Sequence, residues 1–304
     1  GSLQDKQIRD LPDFLEPGDL LVFNNSKVFN ARLEARKHSE EAPFEVFLLH
    51  PTGTTWTALI RGLKKCTIGD QLLFDDGSKA TLEAKELDGV ATLNFHRSTE
   101  DVFTLCEQHG QVPTPPYVKP TTANAAEYQT IYAEPRGSVA APTAGFHFTE
   151  ALLARLKTQG INTAFITLHV GLGTFRPMQT ETLEAHTMHA EWIQVSEEVV
   201  RQIEATKKAG HRVIAIGTTT TRALETAAES GTLKAFEGFT SIFITPGFSF
   251  RVIDGLLTNF HLPKSTLIVL VSALASREQI LHAYQHAIEH DYRFYSFGDA
   301  MLIL

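Results

Sequence analysis

The segment Arg212-Val-Ile-Ala-Ile-Gly-Thr-Thr-Thr-Thr-Arg222 decides the fold class of this chain. Its apolar residues run without alternation as far as Ile216, which is typical of a short strand buried on both faces of a sheet. The glycine and threonines that follow mark the turn into a helix. A strand that leads directly into a helix is the repeating element of an α/β domain, so the segment predicts that class.

The sequence on either side of this segment continues the alternation of helix and strand. Thr149 and Ser196 are suitable N-cap residues and predict the starts of two helices, each of which a glycine ends. The predicted elements are a helix at 149–159, a strand at 161–168, a helix from 196 to Gly210, helices near 265–275 and 276–289, and a terminal apolar stretch at 300–304.

The first third of the chain has a different pattern. Short apolar runs follow one another at roughly 8–12-residue spacing, separated by Gly, Pro and Asp turns, which is typical of a small barrel or sandwich. A Pro-rich segment at 112–117 ends this region. The predicted strands are 20–23, 44–49, 56–60, 71–74, 80–84 and 90–95.

Composition excludes several classes of protein. The chain has 304 residues with a net charge of −8, which disfavours a protein that coats nucleic acid. The longest apolar run, 267–275, is too short to span a bilayer. Cys66 and Cys106 form no disulfide or zinc pattern, so a reducing cytoplasm is expected. Walker, Gly-x-Ser-x-Gly and Cys/His zinc motifs do not occur in the sequence.

The segment from Tyr128 to Thr149 has neither a helical nor a strand period, yet it is rich in Gly, Pro, Thr, Arg and His. Its aromatic residues disfavour disorder. An ordered wall of an active site is therefore expected there, with an ordinary surface loop as the alternative.

Loops at strand ends supply the other candidates for chemistry. The turn at 217–222 is a candidate anion site at a helix N-terminus, with Arg222 as a clamp, or else a threonine cap with Arg222 paired to Glu225. His169 opens a Gly-rich loop, and His261 lies in a polar loop before an apolar helix. His186, His189 and Glu191 are metal-ligand types, but their spacing fits no zinc signature.

Several long motifs resemble, in family order, those of the S-adenosylmethionine:tRNA ribosyltransferase-isomerases of queuosine biosynthesis. The resemblance extends from about residue 10 to the end of the chain. The matching segments include residues 17–25, 115–117, 128–133, 137–149, 169–177, 188–191, 217–222, 258–263 and 292–301.

The resemblance implies an α/β main domain with a mixed sheet, at 3–26 and 112–304, and an inserted small β-barrel domain at 27–111. It also implies the reaction: the ribosyl part of S-adenosylmethionine moves onto the aminomethyl-deazaguanine at the tRNA wobble position and isomerises to epoxyqueuosine. Adenine and methionine leave. S-adenosylmethionine is then a consumed co-substrate, tRNA is the partner, and no other cofactor, metal or membrane is expected.

This chemistry implies roles for particular residues. A base must take a proton from the ribose methylene beside the sulfonium, and the departing adenine needs a proton or a hydrogen bond. The methionine carboxylate suits the threonine turn, and aromatic rings can stack on a base. The implied catalytic residues are His147, His169, His189, Glu191, His261 and Asp299; the implied substrate-binding residues are Tyr117, Tyr128, Arg136, Phe175, Arg176, Thr218, Thr219, Arg222 and Asn259.

Two alternatives remain at this stage. The sequence lacks the Glu-Leu-Pro opening and the Ser-Arg-Leu-Leu stretch with which family members typically begin. A shortened, catalytically inactive tRNA-binding relative is therefore one alternative. A metallohydrolase built on His186, His189 and Glu191 is the other.

Overall fold

The computed structural model describes residues 2–37, 42–86, 89–113, 128–171, 178, 180 and 182–304. Within those ranges, no helix is both long and apolar enough to cross a bilayer. The strands are β1 (Leu20–Asn24), β2 (Lys27–Val28), β3 (Arg32–Arg36), β4 (Phe44–Thr52), β5 (Thr55–Ile60), β6 (Gln71–Phe74), β7 (Lys79–Lys85), β8 (Val90–Asn94), β9 (Arg136–Ser138), β10 (Asn162–Leu168), β11 (Glu191–Val195), β12 (Val213–Ile216), β13 (Phe236–Thr240), β14 (Gly255–Asn259) and β15 (Ala300–Ile303). The α-helices are α1 (Thr99–His109), α2 (Glu150–Thr158), α3 (Glu197–Lys208), α4 (Thr218–Ala227), α5 (Thr266–Ala275) and α6 (Arg277–Glu289). Short 3-10 helices span Ile8–Phe14, Leu63–Lys65 and Thr143–His147.

The chain divides into two compact units. The first combines Gly1–Ser26, Gln129–Pro135 and Ala141–Leu304, and the second combines Lys27–Tyr128 and Arg136–Ala140. Tyr128 and the strand β9 thus group with the second unit, although the sequence assigned them to the α/β domain. The boundaries 3–26, 27–111 and 112–304 remain a prediction.

A mixed sheet organises the first unit. Its strand order is β13-β11-β10-β1-β12-β14-β15. The central strands β10, β1, β12 and β14 are parallel, and β11, β13 and β15 pair antiparallel with their neighbours. All five residues of β1 and all four of β12 are buried, as expected of strands covered on both faces. The predicted α/β domain with a mixed sheet is confirmed.

Local capping explains where most helices of this unit begin. Thr149 Oγ1 accepts a hydrogen bond from Leu152 N at the start of α2, and Ser196 Oγ accepts one from Val199 N at the start of α3, as predicted. A cluster including Leu21, Phe23 and Ile214 packs the sheet against α2. Of the two alternatives for the turn at 217–222, the threonine cap on α4 does not form, because Gly217 occupies the N-cap position.

The second unit contains the strands predicted for the first third of the chain except the one at 20–23, which is the parallel strand β1 of the mixed sheet. Strands β3-β4-β5-β8-β7-β6 close into a barrel, so the structure selects the barrel over the sandwich. Phe29, Trp56 and Phe103 pack against one another, with ring centroids 5.2–5.8 Å apart. The sequence did not predict β3 or helix α1, which a reciprocal capping box between Ser98 and Asp101 begins.

Candidate functional site

One edge of the mixed sheet gathers most of the candidate residues. Because β10, β1, β12 and β14 are parallel, their carboxyl ends lie at the same edge, and the antiparallel β11 and β15 begin there. Ligands in open α/β sheets bind outside the carboxyl ends of the strands. This site edge carries residues from six neighbouring strands or from the turns beside them: Asn24, His169, Glu191, Thr218, Asn259 and Asp299.

His169 follows β10 directly and is held in a fixed orientation. Its Nδ1 lies 2.7 Å from the buried Ser26 Oγ. Its ring stacks on Trp192, with centroids 5.0 Å apart and planes inclined by 17°. The backbone N–H of His169 also donates to the Trp192 carbonyl at 2.9 Å. These contacts fix both the position and the plane of the imidazole.

Asn24, at the end of β1, connects the neighbouring elements of the site edge. Its Nδ2 donates to Leu168 O at 2.9 Å and to Thr219 Oγ1 at 3.3 Å. Its Oδ1 accepts from Leu168 N at 3.0 Å and from Ser26 N at 3.1 Å. This single amide therefore joins the end of β10, the start of α4 and the partner of His169. Asn24, Ser26 and Trp192 are functional candidates that the sequence did not predict.

Helix α4 begins at the site edge, directly after β12. Gly217 has a φ of +90°, a conformation that L side chains rarely adopt, so a glycine is required at this turn. A helix leaves its first N–H groups without intrahelical partners, and its dipole favours an anion there. The hydroxyls of Thr220 and Thr221 donate back to the carbonyls of Ile216 and Gly217. Amides, rather than these hydroxyls, are therefore what α4 offers a ligand.

Arg222 and Glu191 form a buried ion pair beside the start of α4. Their side chains are only 5% and 3% exposed, and Arg222 Nη1 donates to Glu191 Oε2. Glu191 Oε1 also accepts from Gly171 N at 2.9 Å. The alternative partner considered from the sequence, Glu225, instead accepts three backbone N–H groups from residues 251–253. Both Glu191 oxygens are therefore engaged, and the carboxylate holds Arg222 and the backbone of Gly171 in place.

A second cluster lies at the β14 and β15 side of the site edge. Burial lowers the pKa of His147, against the opposing influence of the Asp299 charge and the Asn259 side chain. Asn259 is buried and donates to Tyr295 O at 3.0 Å. Burial alone would raise the pKa of Asp299, but hydrogen bonds from Arg293, at 2.7 and 3.1 Å, outweigh it and lower the pKa. Asp299 is therefore an ionised acceptor.

His261 follows β14 and is held in its neutral form. Its Nε2 lies 3.2 Å from Thr258 Oγ1, and its backbone N–H donates to Tyr284 OH at 2.8 Å. Burial lowers the pKa of His261 from 6.5 to about 4. Such an imidazole can exchange hydrogen bonds at neutral pH, but it is a weak base.

The other candidates fall into three groups. His189 is exposed, and it does not converge with His186 and Glu191 into a metal-binding group. Tyr128 and Arg136 belong to the second unit. Tyr128 is fully buried, and Arg136 pairs with Glu100 and Glu107. Three further candidates lie outside the described residues: Tyr117, Phe175 and Arg176.

Known proteins match this chain along most of its length. The sequence model of the queuosine biosynthesis protein family matches residues 1–303. A protein from Acaryochloris marina, named S-adenosylmethionine:tRNA ribosyltransferase-isomerase, is 50% identical over 310 residues, covering 99% of this chain and 84% of that relative. A protein of the same name from Halothermothrix orenii is 48% identical, covering 100% and 90%. The crystal structure of S-adenosylmethionine tRNA ribosyltransferase from Thermotoga maritima is 36% identical, covers 97% of this chain and 86% of its own, and superposes with a TM-score of 0.53.

Proposed function

The chain belongs to the queuosine biosynthesis family of S-adenosylmethionine:tRNA ribosyltransferase-isomerases, and from this premise we propose its substrates and the roles of its residues. It transfers and isomerises the ribosyl part of S-adenosylmethionine, with tRNA as the acceptor. The acceptor group is the aminomethyl-deazaguanine at the wobble position, and the product is epoxyqueuosine-tRNA. One observation carries the proposal: relatives named for this reaction match the chain almost from end to end, so the whole site edge lies inside the matched region.

S-adenosylmethionine lies along the site edge, with its methionine carboxylate at the start of α4. The amides of Thr218 and Thr219 and the helix dipole favour a negative group at this point. Arg222 reinforces the positive potential from behind the turn, although its main contact is with Glu191. His169 and Asn259 follow strands that are three positions apart in the sheet order, which corresponds to roughly 14 Å at the spacing of hydrogen-bonded strands. These positions suit a bent S-adenosylmethionine, whose methionine carboxylate reaches α4 between the ribose at the β10 end of the edge and the adenine at the β14 end.

His169 is the base that removes the proton from the ribose methylene beside the sulfonium. Among the four histidine candidates, it is the one held by both a hydroxyl contact, from Ser26, and a ring stack, on Trp192. A fixed imidazole supports proton transfer because the donor and acceptor must meet within hydrogen-bonding distance. His261 is less suitable because its low pKa makes it a weak base.

The cluster of His147, Asn259 and Asp299 receives the adenine. Asp299 is ionised and can accept a hydrogen bond from the adenine amino group, but it cannot donate a proton. His147 lies beside it and can supply a hydrogen bond to the leaving base. A buried polar group such as the Asn259 amide rejects a ligand that leaves it unpaired, which favours adenine over bases with another donor pattern.

S-adenosylmethionine is consumed in this reaction and is not a regenerated cofactor. The ribose is the transferred group, so the methyl group leaves with methionine. We place the activity in the cytoplasm, where the tRNA substrate is available.

The test is incubation of the chain with S-adenosylmethionine and tRNA carrying aminomethyl-deazaguanine, followed by nucleoside mass spectrometry. The proposal predicts epoxyqueuosine in the digest. As a matched control, the same tRNA transcript with guanine at the wobble position should yield no new nucleoside. Modification of both transcripts, or of neither, would contradict the proposed acceptor.

A further inference from the structure

A cluster of potential metal ligands lies on α6, among residues to which the proposed reaction assigns no role. His286 and His290 are four positions apart, so they lie on one face of the helix end. Their rings stack with centroids 3.9 Å apart. Asp5, from the segment before the first 3-10 helix, adds a carboxylate to the pair. One ligand atom from each of the three residues lies within 4.8 Å of the other two.

The hydrogen bonds around the cluster leave its ligand atoms suitably arranged. His290 Nδ1 lies 2.8 Å from His286 O, so it carries the proton and the lone pair is on Nε2. His286 Nε2 lies 2.9 Å from Asp5 Oδ1. Asp5 Oδ1 also accepts a hydrogen bond from Tyr292 OH at 2.6 Å, which orients the carboxylate.

The distances match the spacing of ligands on one ion. Two ligand atoms that each lie about 2.1 Å from a metal are about 3.0–3.4 Å apart when the ligand–metal–ligand angle lies between a right angle and the tetrahedral angle. The separation of His286 Nε2 and Asp5 Oδ1, 2.9 Å, is close to that range, and the ligand atom of His290 lies within 4.8 Å of both.

We propose that Asp5, His286 and His290 form a binding site for a divalent transition-metal ion of the zinc, nickel and copper class. Two imidazoles and one carboxylate are the donor set that such ions prefer, whereas magnesium and calcium prefer oxygen ligands. The ion takes the place of the proton between His286 and Asp5. It fastens the segment that contains Asp5 to the C-terminal end of α6.

The experiment titrates chelator-treated protein with ZnCl2 in an isothermal calorimeter. It also measures thermal unfolding of the protein with and without zinc. Wild-type chain should bind one ion per chain at this site and unfold at a higher temperature with zinc. His290→Ala, His286→Ala and Asp5→Asn should each weaken the binding at least on the order of 10- to 100-fold, because loss of even an outer-shell partner has that effect in metal sites.

His282→Ala is the matched control, since His282 is an exposed histidine one turn earlier on the same helix and outside the cluster. It should retain wild-type zinc affinity. The proposal is overturned if wild-type protein does not bind zinc, if the cluster variants bind it as well as wild type, or if His282→Ala weakens binding as much as they do.

Discussion

Removing one partner of the buried Arg222–Glu191 pair should destabilise the first unit strongly. In Arg222→Ala, the carboxylate of Glu191 stays buried without its cation, and breaking such a pair costs about 3–5 kcal/mol. At roughly 2–4 °C for each kcal/mol in a domain of this size, the melting temperature should fall by about 6–20 °C. Because of this effect, a loss of S-adenosylmethionine binding in Arg222→Ala must be measured at a temperature at which the variant is folded.

A double-mutant cycle separates the pair from other effects of the substitutions. Glu191→Gln retains the acceptor for Gly171 N and removes only the charge, and Arg222→Met replaces the guanidinium with an apolar chain. The double variant should be less destabilised than the sum of the single variants. The exposed pair of Arg201 and Glu198 provides the control, and Arg201→Ala should change stability by about 1 kcal/mol or less. An Arg222→Ala protein as stable as wild type would refute this reasoning.

Three further predictions concern the site. Ser26→Ala removes the hydroxyl at His169 Nδ1, a contact worth about 0.5–1.5 kcal/mol. The kcat should therefore fall roughly 2- to 13-fold, with little change in the KM for S-adenosylmethionine. An unchanged kcat would argue against His169 as the base. The unfolding free energy should decrease as the pH falls from 6.5 toward about 4, because His261 takes up a proton first in the unfolded chain. Denaturant titrations should show a shallower decrease with pH in His261→Gln than in wild type. An equal decrease in the two proteins would contradict the neutral state of His261. Treatment with EDTA should leave the turnover rate unchanged, and a loss that zinc restores would assign a metal to the reaction.

Much of the fold could be predicted because its signals are local. The apolar run before Gly217 identified β12, and the hydroxyls of Thr149 and Ser196 identified the starts of α2 and α3. Strands β11 and β13 were missed for physical reasons. Strand β11 begins with the charged Glu191, and β13 contains Gly238, a residue that is unfavourable in strand interiors.

The candidate site was predictable only in outline. The rule that ligands bind at the carboxyl ends of parallel strands identified the loops that contain His169, Thr218 and Asn259. It did not identify their partners, because those contacts join distant parts of the chain: Ser26 lies 143 positions from His169. The polar run Asn24-Asn25-Ser26 at the end of the buried strand β1 was the available signal for Asn24 and Ser26.

The partner of Arg222 could not be predicted from local spacing. Glu225 is one helical turn away and was the nearest acidic residue considered, yet its carboxylate holds the backbone of residues 251–253. Glu191 is 31 positions from Arg222 and reaches it only because β11 begins at the site edge. Only the sheet order reveals that contact.

The most direct test of the account is the fate of two labels in S-adenosylmethionine. With label in the ribose, radioactivity should enter the aminomethyl-deazaguanine-containing tRNA, and adenine and methionine should appear in equal amounts. With label in the methyl group, the tRNA should stay unlabelled and the label should leave with methionine. Methyl label in the tRNA, with S-adenosylhomocysteine as the main product, would contradict the proposed ribosyl transfer.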